Sequence, residues 1–588
     1  MKERAQTMAT VFSFVKLRAS FFLFFASVLA TCAYFTIYPV GDVARAEALF
    51  AKTSFYFFNL MFVTWIYCLN QWQSTLFSHI PRLERFSAVA IALILTTVVW
   101  FGVEHSFKVL SDEANLIAIS QSLTFEKTAY NHTMGRWYYD NFWPLANQID
   151  KRPILFPYLL QLFHVVLGYS IANVYLMNAF FLFLLLYLVF IFVYPLGGFL
   201  GGIAGMFLVL AQPIVNITAI SGGFDLLACL MQVWVAYLVL ELCKKDNPAI
   251  RPLIWYSLIL LVHARYENML ALPMVMAILV VFKKFTLADF KKDIYLYLFS
   301  PIFLLPRVWQ LMMPQNYENP HGVPVIGWSN FVKHLPIFLK NFANFKFELP
   351  YATILNLAGA LIVLAWFAVF LYRLFRRQTP LLETRYYPFA LVLLAFSSSE
   401  LAITLSHHFG VFDHPTQARL FLLFVVTLSL APFLLKGLLG RLPKIWLLLA
   451  SASMFALYFP IAQENRFVNK LTIIRKTHWS YAFFDELKNK NILIIADRPG
   501  IYTIRPAGAV DFAWAKSNAN MIREDVSRHL YDDVYVVEDV AYNTHKSELD
   551  GTFKLQTVFE RQNTPDLFVR ISKIQFDQEK STQATTAK

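Results

Sequence analysis

Apolar runs of about twenty residues succeed one another from the N-terminus to about residue 462 and then stop. In lipid every backbone N–H and C=O must be paired within the protein, so runs of this length fold as spanning helices. They lie at roughly 20–40, 54–72, 86–103, 172–194, 198–218, 224–242, 252–264, 267–282, 294–306, 352–372, 386–406, 417–435 and 445–462, about thirteen in all. The three short ones, 252–264, 267–282 and 294–306, read as half-helices or tilted pairs. The run from Ser20 to Val40 follows a basic N-terminus, is too long for a signal-peptide core and lacks a small-x-small cleavage site, so it reads as a retained first span. Charged residues make up only 15% of the chain, against about 25% in soluble proteins. A soluble enzyme, a disordered chain and a fibre are thereby excluded.

The charges between the runs set the orientation. One side carries Lys2, Arg4, Lys16 and Arg18; Arg82 and Arg85; Lys244, Lys245 and Arg251; and Lys283, Lys284, Lys291 and Lys292. Arg373, Arg376, Arg377 and Arg385, then Lys436, Arg441 and Lys444, continue the series on that side. The positive-inside rule puts these segments and the N-terminus in the cytoplasm, and an odd number of spans puts the C-terminal part outside. The net charge of +13 thus reflects topology. No basic face with interleaved aromatics occurs in the tail, so nucleic acid is not an expected partner. Cys32, Cys68, Cys229 and Cys243 all lie in or beside apolar runs, which leaves the tail without disulfides or a Cys metal site. A multi-pass protein of a bacterial inner membrane is the expectation, with residues 1–462 as the membrane domain and 463–588 as an extracytoplasmic domain.

That tail alternates helix and strand. Trp479 to Leu487 and Ala519 to Leu530 read as helices; Asn491 to Asp497, Asp533 to Glu538, Phe553 to Phe559 and Leu567 to Ile574 read as strands. The result is a small α/β domain. Asp497-Arg498-Pro499-Gly500 reads as a turn at a strand end, with a ligand-facing loop as the alternative, and Gln578 to Lys588 as a mobile end. Two long connections, about 104–171 and 307–351, fall on the outer side. Their aromatics, Trp137, Tyr138, Tyr139, Phe142 and Trp143 in the first and Tyr317, Trp328 and Phe331 in the second, are expected along the outer leaflet.

The first connection holds an acid pair, Asp112-Glu113, at the start of an amphipathic helix for which Ser111 or Asp112 is the natural N-cap. Acids also favour helix N-termini for dipole reasons alone. The connection ends with Asp150-Lys151-Arg152-Pro153 leading into an apolar helix stopped by Gly168. Ser221-Gly222-Gly223-Phe224-Asp225 then sets a third acid at the outer end of a span, where a helix cap is the plainer reading.

In kind, order and spacing these motifs resemble the GT-C membrane glycosyltransferases, in the branch of the protein O-mannosyltransferases and the lipid A aminoarabinose transferase. The resemblance covers about residues 86–290, with two departures: two spans precede the family's first helix, and its Pro-Pro reads Arg152-Pro153. It implies a sugar moved from a polyprenyl-phosphate carrier to a lipid, glycan or protein acceptor. It implies Asp112 as general base, with Glu113 and Asp225 orienting the acceptor or holding a cation. The chemistry asks for the same things: a carboxylate to take the proton of an incoming hydroxyl, and positive charge where the phosphate leaves. Whether a divalent cation (Mg, Mn or Zn) takes part is left open by the acids alone.

Candidate phosphate ligands are Arg419, which enters a span from the outer side, Arg265 in His263-Ala264-Arg265-Tyr266-Glu267, and Arg307 at the start of the second connection. Arg265 at membrane depth lines a site or pairs with Glu267 or Asp225. Lys151 and Arg152 read as anchors to lipid headgroups. His407, His408, Asp413 and His414 match no standard zinc spacing. The chain has no Walker A loop and no glycine-rich dinucleotide turn. The expected function is a polyprenyl-phosphate-sugar glycosyltransferase at the outer face; the alternative is a transporter or flippase of lipid-linked sugars.

Overall fold

The computed structural model describes residues 26–576, apart from 73–79, 139–140, 246, 314–324, 347–348, 377–386, 415, 435–443, 465–470, 488–489 and 506. The basic N-terminus to Arg18, Tyr139, Tyr317, Arg377, Arg385, Lys436, Arg441 and the end expected to be mobile lie outside the described residues. Among the described residues, eight helices are long and apolar enough to cross a membrane: Val43–Trp72, Arg82–Gly102, Ala172–Leu210, Asp225–Lys245, Ile294–Met312, Thr353–Arg373, Tyr387–Ser406 and Lys444–Gln463. Shorter apolar helices include Ala26–Ile37, Ile250–Val262, Tyr266–Val281 and Ala418–Phe433. The protein is thus an α-helical polytopic membrane protein.

The runs expected at 172–194 and 198–218 join as one helix of 39 residues, broken inside by Gly198 at φ +67° with Pro195 just before it. Proline removes a helix bond and glycine alone reaches that φ without a Cβ penalty, so the bend has both of its usual causes. Asp225–Lys245 is buried almost all round, as befits a helix without an amphipathic stripe, and stands at the centre of the bundle. Thr353–Arg373 and Lys444–Gln463 stand at the rim and expose Leu361, Leu364, Trp446 and Leu449.

The C-terminal part builds a sheet, but not alone. Seven strands run in the order β2-β1-β4-β3-β5-β7-β6. They are β1 (Asn131–Tyr138), β2 (Asn141–Gln148), β3 (Ile492–Ala496), β4 (Gly508–Val510), β5 (Asp533–Ala541), β6 (Lys554–Thr564) and β7 (Leu567–Gln575). The central β4, β3 and β5 are parallel, and every residue of β3 is buried, the pattern of a strand covered on both faces. β1 joins them by pairing Gly135 with Ala509.

Here the structure corrects the sequence reading. The aromatic stretch of the first connection, which nothing in the sequence singled out as strand, forms the β1–β2 hairpin, with Trp137 packed on Phe142 at 5.5 Å between ring centroids. Aromatic residues suit a half-buried strand as well as an interface, and composition alone does not separate the two. In the second connection the helix Trp328–Phe342 buries Asn330, His334 and Phe338 and exposes Trp328, Val332 and Leu339. That is the pattern of a helix lying at a membrane surface.

Candidate active site

The acid helix, Leu110–Phe125, begins one residue before the expected cap. Val109 is its N-cap and makes no side-chain cap bond, so Asp112 and Glu113 sit in the first turn. Their neighbours on the helix differ in fate. Asp112 turns toward the loop Asp150–Arg152 and toward Arg419, while Glu113 turns inward and is buried.

Asp112 is held at both oxygens. Arg419 donates from Nη2 to Oδ2 at 2.5 Å, and Arg152 pairs with Oδ1. Arg419 also donates from Nη1 to Asp225 Oδ2 at 3.0 Å and from Nε to the Thr416 carbonyl at 3.0 Å. One guanidinium therefore ties the acid helix to the end of the central span. Arg152 is fixed from behind: Asp150 Oδ2 lies 2.5 Å from its Nη1 and in turn accepts from Asn115 on the acid helix at 2.7 Å. Gln310 donates to the carbonyls of Asp150 and Arg152 at 2.9 and 2.8 Å.

Behind Asp225 stands a second layer. Arg265 Nη1 lies 3.5 Å from Asp225 Oδ1 and 3.0 Å from Glu400 Oε1, and its Nε lies 3.3 Å from Glu267 Oε2. Arg265, Asp225 and Glu400 are almost wholly buried, and a buried arginine needs such a set of partners. Arg265 thus pairs with both Glu267 and Asp225. Arg307 reaches the cluster through Gln310, to which it donates at 2.5 Å, and its guanidinium lies 5.1 Å from the Tyr266 ring. It stands within Leu305–Met312, so the second connection starts later than expected.

Burial alone works to raise the Asp112 carboxyl, but the guanidiniums of Arg419 and Arg152 outweigh it and hold the group below the usual carboxylate range. Glu113 goes the other way. Burial pushes it up to about 7, against the pull of Lys108, whose backbone N–H donates to Oε2 at 2.8 Å. Two acids adjacent in sequence therefore differ in their readiness to hold a proton.

The Gly222-Gly223 pair permits this crowding. A Cβ on Gly223 would stand 3.2 Å from Asp225 Oδ2, 3.4 Å from Glu113 Oε1 and 3.8 Å from Arg419 Nη1. A Cβ on Gly222 would meet the Glu113 Cβ at 3.0 Å and the Phe107 ring at 3.2 Å. Asn178, buried in the kinked helix, holds the loop by donating to the Ser221 and Gly223 carbonyls at 2.7 and 3.0 Å. Gly222→Ala is expected to destabilise the protein by about 1–3 kcal/mol through overpacking. Thermal unfolding in detergent reads it out, and an unchanged midpoint contradicts the packing described.

No family model and no curated protein matches the chain by sequence. Its structure aligns with the crystal structure of ArnT from Cupriavidus metallidurans bound to undecaprenyl phosphate, with a TM-score of 0.50 and 12% identity, over 82% of this chain and 97% of that one. The apo form of the same protein aligns with a TM-score of 0.50 and 11% identity, over 83% and 98%. The fold is that of ArnT. ArnT is the lipid A aminoarabinose transferase, so the fold is the one that the resemblance implies.

Within this ArnT-like fold the predicted Asp112, Glu113, Asp225, Arg265 and Arg419 come together, and Arg307 stands one step away. Two participants were misjudged or missed. Arg152 is no headgroup anchor: its side chain is 12% exposed and committed to Asp112 and Asp150. Glu400 lay unremarked in the run 386–406, although an acid inside a span is costly and signals a partner. The histidine cluster does not converge. His407 stacks on His408 at 4.5 Å, Asp413 accepts from Asn341 at 2.9 Å, and His414 bonds Thr416 at 2.9 Å. Among the described residues no group of three or more His, Cys, Asp or Glu side chains is placed to hold a metal ion. The acids instead face guanidinium cations.

Proposed function

We propose that this protein is a glycosyltransferase that moves one sugar from a polyprenyl-phosphate carrier to an acceptor hydroxyl, with inversion at the anomeric carbon. The charge pattern between spans supports a site on the outer face of a bacterial inner membrane. The observation that carries the reading is Asp112 clasped between Arg152 and Arg419, in a chain with the ArnT fold. Undecaprenyl phosphate is the ligand bound to ArnT in the aligned crystal structure, and a lipid of that class is the proposed carrier here.

The two arginines carry the argument because a phosphate competes for them. A planar guanidinium fits phosphate as well as carboxylate, by the same two-pronged contact. When the donor enters, Arg419 and Arg152 turn to its phosphate and release Asp112. The freed carboxylate loses the cations that weakened it as a base. It then takes the acceptor's hydroxyl proton as the oxygen attacks the anomeric carbon. The bond from that carbon to the phosphate oxygen breaks, and polyprenyl phosphate leaves with one more negative charge, which the arginines stabilise. Asp225 stays in place through Arg265 and orients the acceptor.

Glu113 makes the site sensitive to pH. Burial favours its neutral form at lower pH; as pH rises through about 7 it adds a negative charge facing Lys108 and close to Arg419. The donor KM is therefore expected to rise as pH passes upward through about 7, and to stay flat in Glu113→Gln. Initial rates against donor concentration at a series of pH values check this; a rise that survives the substitution rules Glu113 out as its source.

The reaction itself is tested by reconstituting the protein in vesicles with polyprenyl-phosphate-linked sugars and envelope extract. A product heavier by one sugar residue is expected by mass spectrometry. Movement of the lipid-linked sugar across the vesicle without a new covalent bond selects the transporter instead.

A further inference from the structure

The turn Asp497-Arg498-Pro499-Gly500 leads into a single helical turn, Gly500–Thr503, at the carboxyl end of β3. A helix end buried in protein leaves carbonyls that need donors. Three carbonyls of this segment find them on three separate elements. Tyr481, in the helix Thr472–Glu486, donates to Ile501 at 2.5 Å; Gln121, on the acid helix, donates to Thr503 at 3.3 Å; and Tyr169, just after Gly168, donates to Ile504 at 2.6 Å. Thr503 Oγ1 closes the set on the His132 carbonyl of β1 at 3.2 Å. Gln121, Thr503, Ile504 and His132 are all buried.

The contacts bracket the acid pair. Gln121 stands on the same rigid helix as Asp112, about 13 Å along its axis. On the other side, the Tyr481 ring meets Phe107 edge-on at 6.4 Å, and Phe107 packs against the Gly222 position beside Glu113. The sheet adds a second tie: Arg136 on β1 pairs with Asp525 and lies 5.5 Å from the Trp514 ring. A helix gripped at both ends cannot slide, and a slide of about 1 Å at a reacting carboxylate can cost a factor of about 100 in rate.

We propose that the C-terminal α/β domain is a positioning element of the transfer reaction, clamping the acid helix through the turn Gly500–Thr503. The proposal rests on the transferase reading above, and Gln121 and Tyr169 are its positioning residues. The test compares the full-length protein with Gln121→Met/Tyr169→Phe, a pair of near-isosteric changes that removes two donors and leaves the acids and arginines untouched. Transfer kinetics are measured in vesicles, with hydrogen–deuterium exchange on the same samples.

The expected result is a kcat about ten-fold lower with a donor KM within about two-fold of the original. Amide exchange of residues 110–125 should quicken while the spans stay protected. Unchanged exchange in the acid helix overturns the clamp. So does faster exchange with an unchanged kcat, or a loss carried by KM alone. If the double variant does not fold, Tyr169→Phe by itself is judged by the same criteria. If the unaltered protein transfers no sugar, the transferase reading fails and takes the catalytic role of the clamp with it; quickened exchange then upholds only the mechanical tie to the acid helix, and unchanged exchange overturns that as well.

Discussion

Asp112→Asn is expected to lower kcat by about 10²–10⁴-fold, the usual worth of a positioned general base, while the protein remains folded. Asparagine keeps the shape of the side chain and an oxygen for one guanidinium, but it takes no proton. Stability should hold because neither arginine is left alone. Arg152 retains Asp150 at 2.5 Å, and Arg419 retains Asp225 at 3.0 Å. The variant should also separate binding from chemistry. With the competing carboxylate neutral, both arginines are freer to meet the donor phosphate, so donor affinity should stay level or improve as turnover collapses. Single-turnover kinetics with donor titration gives both numbers, and a fully active variant would remove Asp112 from the mechanism.

The second large effect concerns Arg419. Arg419→Gln strips a shared cation from two carboxylates, one of them, Asp225, almost completely buried. Breaking a buried ion pair from one side costs up to about 3–5 kcal/mol, and Arg265, at 3.5 Å from Asp225 Oδ1, offsets only part of the loss. We expect a marked fall in the unfolding midpoint together with loss of transfer. Arg419→Gln/Asp225→Asn tells the two effects apart. Neutralising the stranded acid should restore much of the stability and none of the transfer, since the phosphate still lacks its main cation. Recovered transfer in that double variant would show that Arg419 serves the fold alone.

The membrane bundle and the acids were legible because each carries a local signal. A run of twenty apolar residues is visible wherever it occurs, Asp225 and Arg419 each stand at the edge of such a run, and Asp112 opens an amphipathic helix. Arg152 was misread for the same reason that made it visible. A basic residue next to lysine and proline at a helix start suits a headgroup anchor, and nothing nearby in sequence announces that its partner lies 40 residues earlier. Glu400 had a clear signal in the cost of an acid within a span, but its partner Arg265 lies 135 residues away. The hairpin 131–148 had the weakest signal. Its aromatics fit a membrane surface or a strand equally well, and the deciding fact is its pairing with residue 509.

That pairing has a consequence for how the molecule is made. Gly135 leaves the ribosome long before Ala509, and at roughly 5–20 residues per second the interval is about 20–75 s. Throughout it the hairpin waits with one flank of unpaired amides and carbonyls, a template for any passing strand. Closing the sheet is therefore one of the last events of assembly. A nascent chain cut short before β4 would keep most of its spanning helices yet leave that flank open, a lesion that quality-control proteases can recognise.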